Sequence, residues 1–288
     1  MHIVTDRGAD LTPPQLEGLD NITFAPLTLT LEGRSYVSGV DIQPHEFYDL
    51  LAATGSMPTT SLPSAGEFAD IFREVARTDP EILAVHISSG LSGTFNAAQQ
   101  GAQMVPEASV TVVDTKTLSG AEGWQVEAAA RAARAGWSVE QTLELVAQVR
   151  EVTETLFTLP ELKYLIHGGR ISHLSGLLAS VLNIKPVIGV DHVTGKYVQA
   201  GRARTFNRAV STIVDLVAEQ HGEGAPLRLQ VMHARAPEAA GQLRSQLEAR
   251  FDCTFLPVGD IAPVLGAHTG PGLVGVVFAP LARFPVLP

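Results

Sequence analysis

Ile82-Leu83-Ala84-Val85-His86-Ile87, then Ser88-Ser89-Gly90-Leu91-Ser92-Gly93, then Thr94 through Met104: an apolar run, a turn rich in hydroxyls and glycine, and a helical pattern follow without a break. A short apolar run bounded by turn residues reads as a buried strand, and the 3.6-residue pattern behind it as a helix. Strand, tight turn and helix in series make the unit from which parallel α/β sheets are built. In such sheets ligands lie beyond the carboxyl ends of the strands. The turn carries Ser88, Ser89, Ser92 and Thr94 into a helix N-terminus, where free N–H groups favour an anion and glycines permit close approach. The same hydroxyls also suit plain helix capping by Ser92 or Thr94, and composition leaves both roles open.

Working outward, the first half alternates strands with helices. His2 to Thr5 and Ile22 to Leu31 read as strands, with a turn at Glu32-Gly33-Arg34-Ser35 leading into Tyr36-Val37. Pro44 to Ala53 reads as a helix with Pro at its start and Gly55 just past its end. Ser64 and Glu67 form a capping box for another helix. Val110 to Val113 is a strand, followed by helices over Ala121 to Ala135 and Val139 to Glu151. In the second half, Leu156 to Leu159, Lys185 to Val190, Leu227 to Met232 and Gly272 to Ala279 read as strands. Leu174 to Leu182, Phe206 to Gln220 and Pro237 to Ala249 read as helices, and Asp191 to Lys196 as a hairpin turn. The expected organisation is an N-terminal parallel-sheet α/β domain over residues 1–155 and a C-terminal α/β domain over residues 156–288.

Composition narrows the function. With 288 residues and 45% hydrophobic side chains the chain can bury a large core, and no apolar run is long enough to span a bilayer. The N-terminus lacks the basic and apolar regions of a signal peptide, and Cys253 is the only cysteine, which together suggest the reducing cytoplasm. A net charge of −10 argues against general nucleic-acid binding. Arg202, Arg204 and Arg208, with Arg170 and Lys185 elsewhere in the second half, are local exceptions that suit an acidic partner or a phosphate.

Several apparent motifs fail. Gly189 to Lys196 has the wrong spacing for a P-loop, and Tyr197 follows its lysine. His45-Glu46-Phe47-Tyr48-Asp49 lacks a second zinc-binding histidine, and the nine histidines show no metal-ligand spacing. Asp6 and Asp10 read as cap or turn residues rather than magnesium ligands. Gly90-Leu91-Ser92-Gly93-Thr94 misses the nucleophile elbow because Thr94 stands where the second glycine belongs. Two further segments remain as site candidates: the Pro58-Thr59-Thr60-Ser61-Leu62-Pro63-Ser64 loop, and a glycine-rich turn, Gly266-Ala267-His268-Thr269-Gly270-Pro271-Gly272.

Taken in order, Val4-Thr5-Asp6, Ala9-Asp10-Leu11, Ala25-Pro26-Leu27, Pro58-Thr59-Thr60-Ser61, the Ser88–Thr94 turn, Gly168-Gly169-Arg170-Ile171-Ser172, Lys185-Pro186, Ala203-Arg204-Thr205 and Ala267-His268-Thr269-Gly270 resemble the DegV family. That family includes the fatty-acid-binding (FakB-type) subunits of bacterial fatty acid kinase. The resemblance implies a two-domain DegV-like α/β fold with one long-chain, palmitate-like fatty acid buried in the protein. Its carboxylate would be held by Thr60 and Ser92 with His268 nearby. A separate ATP-binding kinase subunit would phosphorylate that carboxylate, with Arg170, Arg202 and Arg204 facing the kinase or the phosphate. On this reading the chain is a carrier without catalytic machinery, cofactor or metal, and without stable membrane insertion. Arg7, where the family usually has Ser, and Leu62, where Gln is common, depart from the pattern. The alternatives are a serine hydrolase or acyltransferase using Ser92 and His268, with Asp114 as a third member, and a scaffold whose lipid is structural. Burying a sixteen-carbon tail at roughly 0.8 kcal/mol per methylene gains on the order of 10 kcal/mol before ordering costs. Much of that is lost if the carboxylate finds no donors.

Overall fold

A computed structural model describes residues 1–172 and 184–288. In chain order the strands are β1 (His2–Asp6), β2 (Ile22–Ala25), β3 (Thr28–Leu31), β4 (Arg34–Val37), β5 (Thr59–Ser61), β6 (Glu81–His86), β7 (Ser109–Asp114), β8 (Glu154–Thr158), β9 (Lys185–Val190), β10 (Tyr197–Ala203), β11 (Pro226–His233), β12 (Asp252–Phe255), β13 (Gly259–Asp260) and β14 (Val274–Pro280). The helices are α1 (Pro13–Leu16), α2 (Pro44–Thr54), α3 (Ala65–Ala76), α4 (Thr94–Ala102), α5 (Ser119–Arg134), α6 (Val139–Val152), α7 (Lys163–His167), α8 (Phe206–His221), α9 (Pro237–Glu248) and α10 (Pro263–Thr269).

The first sheet runs β2-β1-β6-β7, all parallel. Side chains alternate across it: Val4, Ile82 and Ala84 pack under Phe68, Phe72 and Ala98 of α3 and α4, while Ile3, Leu83 and Val85 meet Val126, Ala129 and Ala130 of α5. Both faces are covered, which is why these strands are apolar nearly throughout. The second sheet runs β10-β9-β8-β14-β11-β12 with β13 beside β11, and is antiparallel except where β11 pairs β12 and β13. Helices α8 and α9 cover one face through Val210, Ile213, Val214, Val217, Leu243 and Leu247. Its other face, with Phe157, Ile188 and Val277, packs with Ala121, Trp124 and Ala128 of α5. Helix α5 therefore lies between the two sheets, buried along nearly its whole length. Gly123 allows the contact on one side, where a Cβ would stand 2.4 Å from the Ala9 carbonyl oxygen.

Most of the expected elements form within a residue or two. The helix starting after Ser64 carries its capping box, and Gly55 ends α2 in the left-handed region. The hairpin turn at Asp191–Lys196 joins β9 to β10. Three expectations change. Ile22 to Leu31 is two strands in different sheets: after β2 the chain leaves the parallel sheet at Pro26, which lacks an N–H for a ladder. Thr59-Thr60-Ser61 is a short edge strand on β3 in a separate antiparallel sheet, β4-β3-β5, not only a loop. The segment around His268 is helix rather than turn as far as Thr269. Pro263 starts α10, and Gly266 is needed because Tyr48 packs against it, not because the chain bends. The helix expected over Leu174 to Leu182 lies outside the described residues. No helix among the described residues is long and apolar enough to cross a membrane.

The two sheets also meet at the Ser88–Gly93 turn. Ser88 Oγ donates to the Gly195 carbonyl oxygen at 2.8 Å, and a Cβ on Gly90 would stand 2.5 Å from the Thr194 carbonyl oxygen. Backbone cannot yield there as a side chain would. Gly90→Ala should therefore destabilise the protein by about 1–3 kcal/mol, read as a lower urea midpoint; an unchanged midpoint would contradict this packing.

Candidate functional site

The connection from β1 goes to β2 on one side, while the chain leaving β6 goes to β7 on the other. The loops after β1 and β6 diverge, opening the crevice that such sheets use for ligands. Asp6 at the end of β1 ties its rim together: Oδ1 accepts from Gly8 N at 2.8 Å, and Oδ2 accepts from Ile87 N at 3.1 Å and lies 3.0 Å from His86 Nδ1. The turn after β6 is thus fixed to the end of β1 by one buried carboxylate, and the sequence reading of Asp6 as a cap agrees with this geometry.

Two adjoining cavities extend from this crevice. One is bordered by Thr60, Ser92, Arg170 and His268 together with Leu27, Ile87 and Leu91. The other is mostly apolar, with Phe157, Met232, Ile261, Leu273 and Val276 in its wall. Leu118, Tyr197 and Leu265 border both, so the two cavities are neighbours on either side of these three side chains. The arrangement suits an amphiphile with a small anionic head.

Four elements bring the polar groups together. β5 presents Thr60, whose Oγ1 is 2.9 Å from His268 Nε2 on α10. His268 Nδ1 is buried without a partner and faces Gly168, where a Cβ would stand 2.2 Å away. Putting the ring proton on Nε2 avoids a buried orphan N–H. In that tautomer His268 donates to Thr60, and the Thr60 hydroxyl proton is free for a ligand. Burial, helped by Arg170 and His167, lowers the His268 pKa from 6.5 to about 4, so the ring is neutral at physiological pH. Ser92 Oγ accepts from Thr94 N at 3.3 Å and lies 2.8 Å from Thr94 Oγ1. It braces the turn rather than capping α4, whose N-cap is Gly93 without a side-chain cap bond, and with Thr94 Oγ1 as the donor of that pair the Ser92 proton stays free. Arg170 is held against the wall by two carbonyls, Nε donating to Leu91 O at 3.3 Å and Nη1 to Gly168 O at 2.6 Å.

Thr60, Ser92, His268 and Arg170 therefore share one cavity. Arg202 and Arg204 do not join them: both are exposed and border neither cavity. Ser92, His268 and Asp114 are not arranged as a relay. His268 is bonded to Thr60, Ser92 to Thr94, and Asp114 accepts from Ser89 N and Lys116 N at 3.1 Å each and pairs with Lys116 Nζ at 2.9 Å. Of the two departures, Leu62 borders the polar cavity and makes its rim more apolar. Arg7 points elsewhere, its guanidinium 4.1 Å over the Phe24 ring in a separate cleft. Tyr197, Leu118 and Leu265, which border both cavities, were not legible as site residues, because nothing local separates them from ordinary core.

A model of the family described as "Uncharacterised protein, DegV family" matches residues 1–281. A DegV domain-containing protein of Deinococcus radiodurans is 38% identical over 278 residues, 96% of this chain and 95% of the relative. A solved DegV family protein from Thermus thermophilus, described by its fatty acid binding, superposes with a TM-score of 0.86 at 32% identity, covering 97% of this chain and 99% of that one. A fatty-acid (stearic acid)-binding protein from Eubacterium ventriosum gives a TM-score of 0.80 at 26% identity, covering 97% and 98%.

Because the folded His268 resists protonation that the unfolded chain accepts, its burial should make stability rise with pH between about 4 and 6.5. Site-resolved NMR titration should show the His268 ring neutral until the pH nears 4; a midpoint near 6.5 would contradict the enclosed ring with its unpartnered Nδ1.

Proposed function

The chain belongs to the DegV family, and on that premise we propose that it binds one long-chain fatty acid, head in the polar cavity and tail in the apolar one. The observation that carries this reading is that a hydroxyl-lined cavity and an apolar one lie side by side, with Leu118, Tyr197 and Leu265 in the wall of both. Thr60 and Ser92 would each donate a hydroxyl proton to the carboxylate, with neutral His268 orienting Thr60. A buried carboxylate needs such donors, since leaving it unpaired costs a large part of the tail's hydrophobic gain. Arg170 adds a positive charge at the same end without being free to clamp, because two backbone carbonyls already engage it.

Uncharged donors hold a carboxylate less firmly than a bidentate arginine, which suits a head that must be handed on. We read the chain as a cytoplasmic carrier, residues 1–155 supplying Thr60 and Ser92 and residues 156–288 supplying Arg170 and His268. It presents the fatty acid to a separate ATP-binding kinase subunit. There a carboxylate oxygen would attack the γ-phosphorus of ATP, giving an acyl phosphate and ADP. The exposed Arg202 and Arg204 would dock that subunit, and Arg170 would face the transferred phosphate. The similar Thermus thermophilus and Eubacterium ventriosum proteins, described as binding fatty acid, support the ligand class.

Denatured, freshly purified protein should release a fatty acid on mass spectrometry. After delipidation, Thr60→Val and Ser92→Ala should each weaken palmitate binding roughly tenfold or more, as expected for losing a hydrogen bond to a charged group. Fluorophosphonate labelling that depends on Ser92 would instead support the hydrolase reading.

A further inference from the structure

Asp10 borders neither cavity, yet its carboxyl connects the parts that shape both. It follows the turn after β1 in the left-handed region, with φ 43° and ψ 39°. One oxygen lies 2.6 Å from Ser119 Oγ and the other accepts from Ala262 N at 2.8 Å. Ser119 opens α5, is itself left-handed at φ 56°, and borders the apolar cavity. Ala262 caps α10, the helix that carries Leu265 into the shared wall and His268 into the polar end. Strained φ values of this kind persist where the surroundings over-determine them, and here the two left-handed residues hold each other.

We propose that Asp10 is a positioning residue for fatty-acid binding: its carboxyl accepts from Ser119 Oγ and from Ala262 N, fixing the tail-cavity wall and the His268 helix relative to each other. The inference rests on the fatty-acid reading above. The surroundings favour the neutral form. Asp6 lies on β1, where it is engaged by His86 and two backbone N–H groups. Glu122 on α5 is wholly buried with neither carboxyl oxygen partnered. Asp260 on β13 faces Asp10 and pairs with His233 at 3.4 Å. Tyr48 on α2 gives its hydroxyl to the Ile261 carbonyl. Arg7, the cation of the same loop, turns onto Phe24. Asp10 thus has acidic company and no salt bridge among the described residues.

Desolvation of the carboxyl, half-buried at the edge of the Arg7 cleft, reinforced by Asp260 and Asp6, raises its pKa from 3.8 to about 8. The sign follows: the folded state keeps a proton that the unfolded state has lost, so this group's contribution to stability is full below 3.8 and disappears as pH rises towards 8. Above that, ionisation leaves the bonds from Ser119 and Ala262 in place but adds a third negative charge beside Asp6 and Asp260, which repel it. That repulsion loosens the joint, and the cavity it shapes loses definition.

The experiment compares delipidated full-length protein with Asp10→Asn, Asp10→Ala and Ser119→Ala, titrated with palmitate from about pH 6 to about pH 9.5, a range spanning the Asp10 titration. Asparagine keeps an acceptor and a donor without charge, so Asp10→Asn should bind nearly as well as the unaltered chain at neutral pH. It should also lack the severalfold fall in affinity that the unaltered chain shows above pH 8. Asp10→Ala should bind roughly tenfold more weakly throughout, the scale of a lost buried hydrogen bond. Should that variant fail to fold, Ser119→Ala, which removes one bond only, should still show a severalfold loss. An Asp10→Asn protein as weak as Asp10→Ala, or a flat affinity profile for the unaltered chain, would overturn the proposal. Thermal unfolding separates this from failure of the lipid reading. If the unaltered chain takes up no palmitate at any pH, the fatty-acid reading falls and the positioning role with it. A stability advantage of Asp10→Asn that grows with pH would then still identify the neutral acid.

Discussion

A helix buried against a sheet on each side must be built of side chains that both sheets can accept, and α5 meets that constraint over nearly all its length. Alanines and glycines let the neighbours approach, while Trp124 fills the remaining volume and gives its indole N–H to Gln230 Oε1 at 2.6 Å. Close-packed interiors of this kind transmit position from one layer to the next. Glu127 on the same helix is tied across the layers: it accepts from Gln15 at 3.0 Å, and Gln15 accepts from Gln230 at 3.0 Å. A network that is satisfied on both sides specifies one relative placement of the sheets better than apolar contact alone. The cavities lie where this packing ends, at Leu118 and Ser119.

The chemistry at the polar end follows from economy of charge. The site pairs hydroxyls and a neutral imidazole with a single arginine whose donors are partly engaged by Leu91 and Gly168 carbonyls. A carboxylate held this way is hydrogen-bonded without a dedicated counter-ion. On the proposed reading the apolar cavity would supply the larger share of binding energy, because hydrophobic gain scales with buried tail. Head and tail thus have separate duties, the one orienting and the other retaining.

The strand-turn-helix at Ile82 to Met104, the capping box at Ser64 and Glu67 and the left-handed Gly55 were legible because each is a local event, decided by neighbours in sequence. What escaped depends on distant partners. Gly266 read as a turn glycine, whereas its lack of a side chain makes room for Tyr48, more than two hundred residues earlier in the chain. Thr60 read as loop, whereas pairing with Leu29 makes it strand. Thr60, Ser92 and His268 became site candidates only through the ordered set of motifs, since separately each is a common turn or cap residue. Leu118, Tyr197 and Leu265 carry no motif at all, and only the convergence of α5, β10 and α10 makes them a shared wall.

The central claim is that a carboxylate sits between Thr60 and Ser92 with its chain running past Leu118 and Tyr197. Palmitate isotopically labelled at its carboxyl carbon, bound to delipidated protein, reports on this directly by NMR. The account predicts one bound carboxyl resonance, shifted by Thr60→Val and by Ser92→Ala and unmoved by a substitution of Arg7 in the separate cleft. A bound resonance insensitive to Thr60 and Ser92, or one that responds to Arg7 instead, would contradict it.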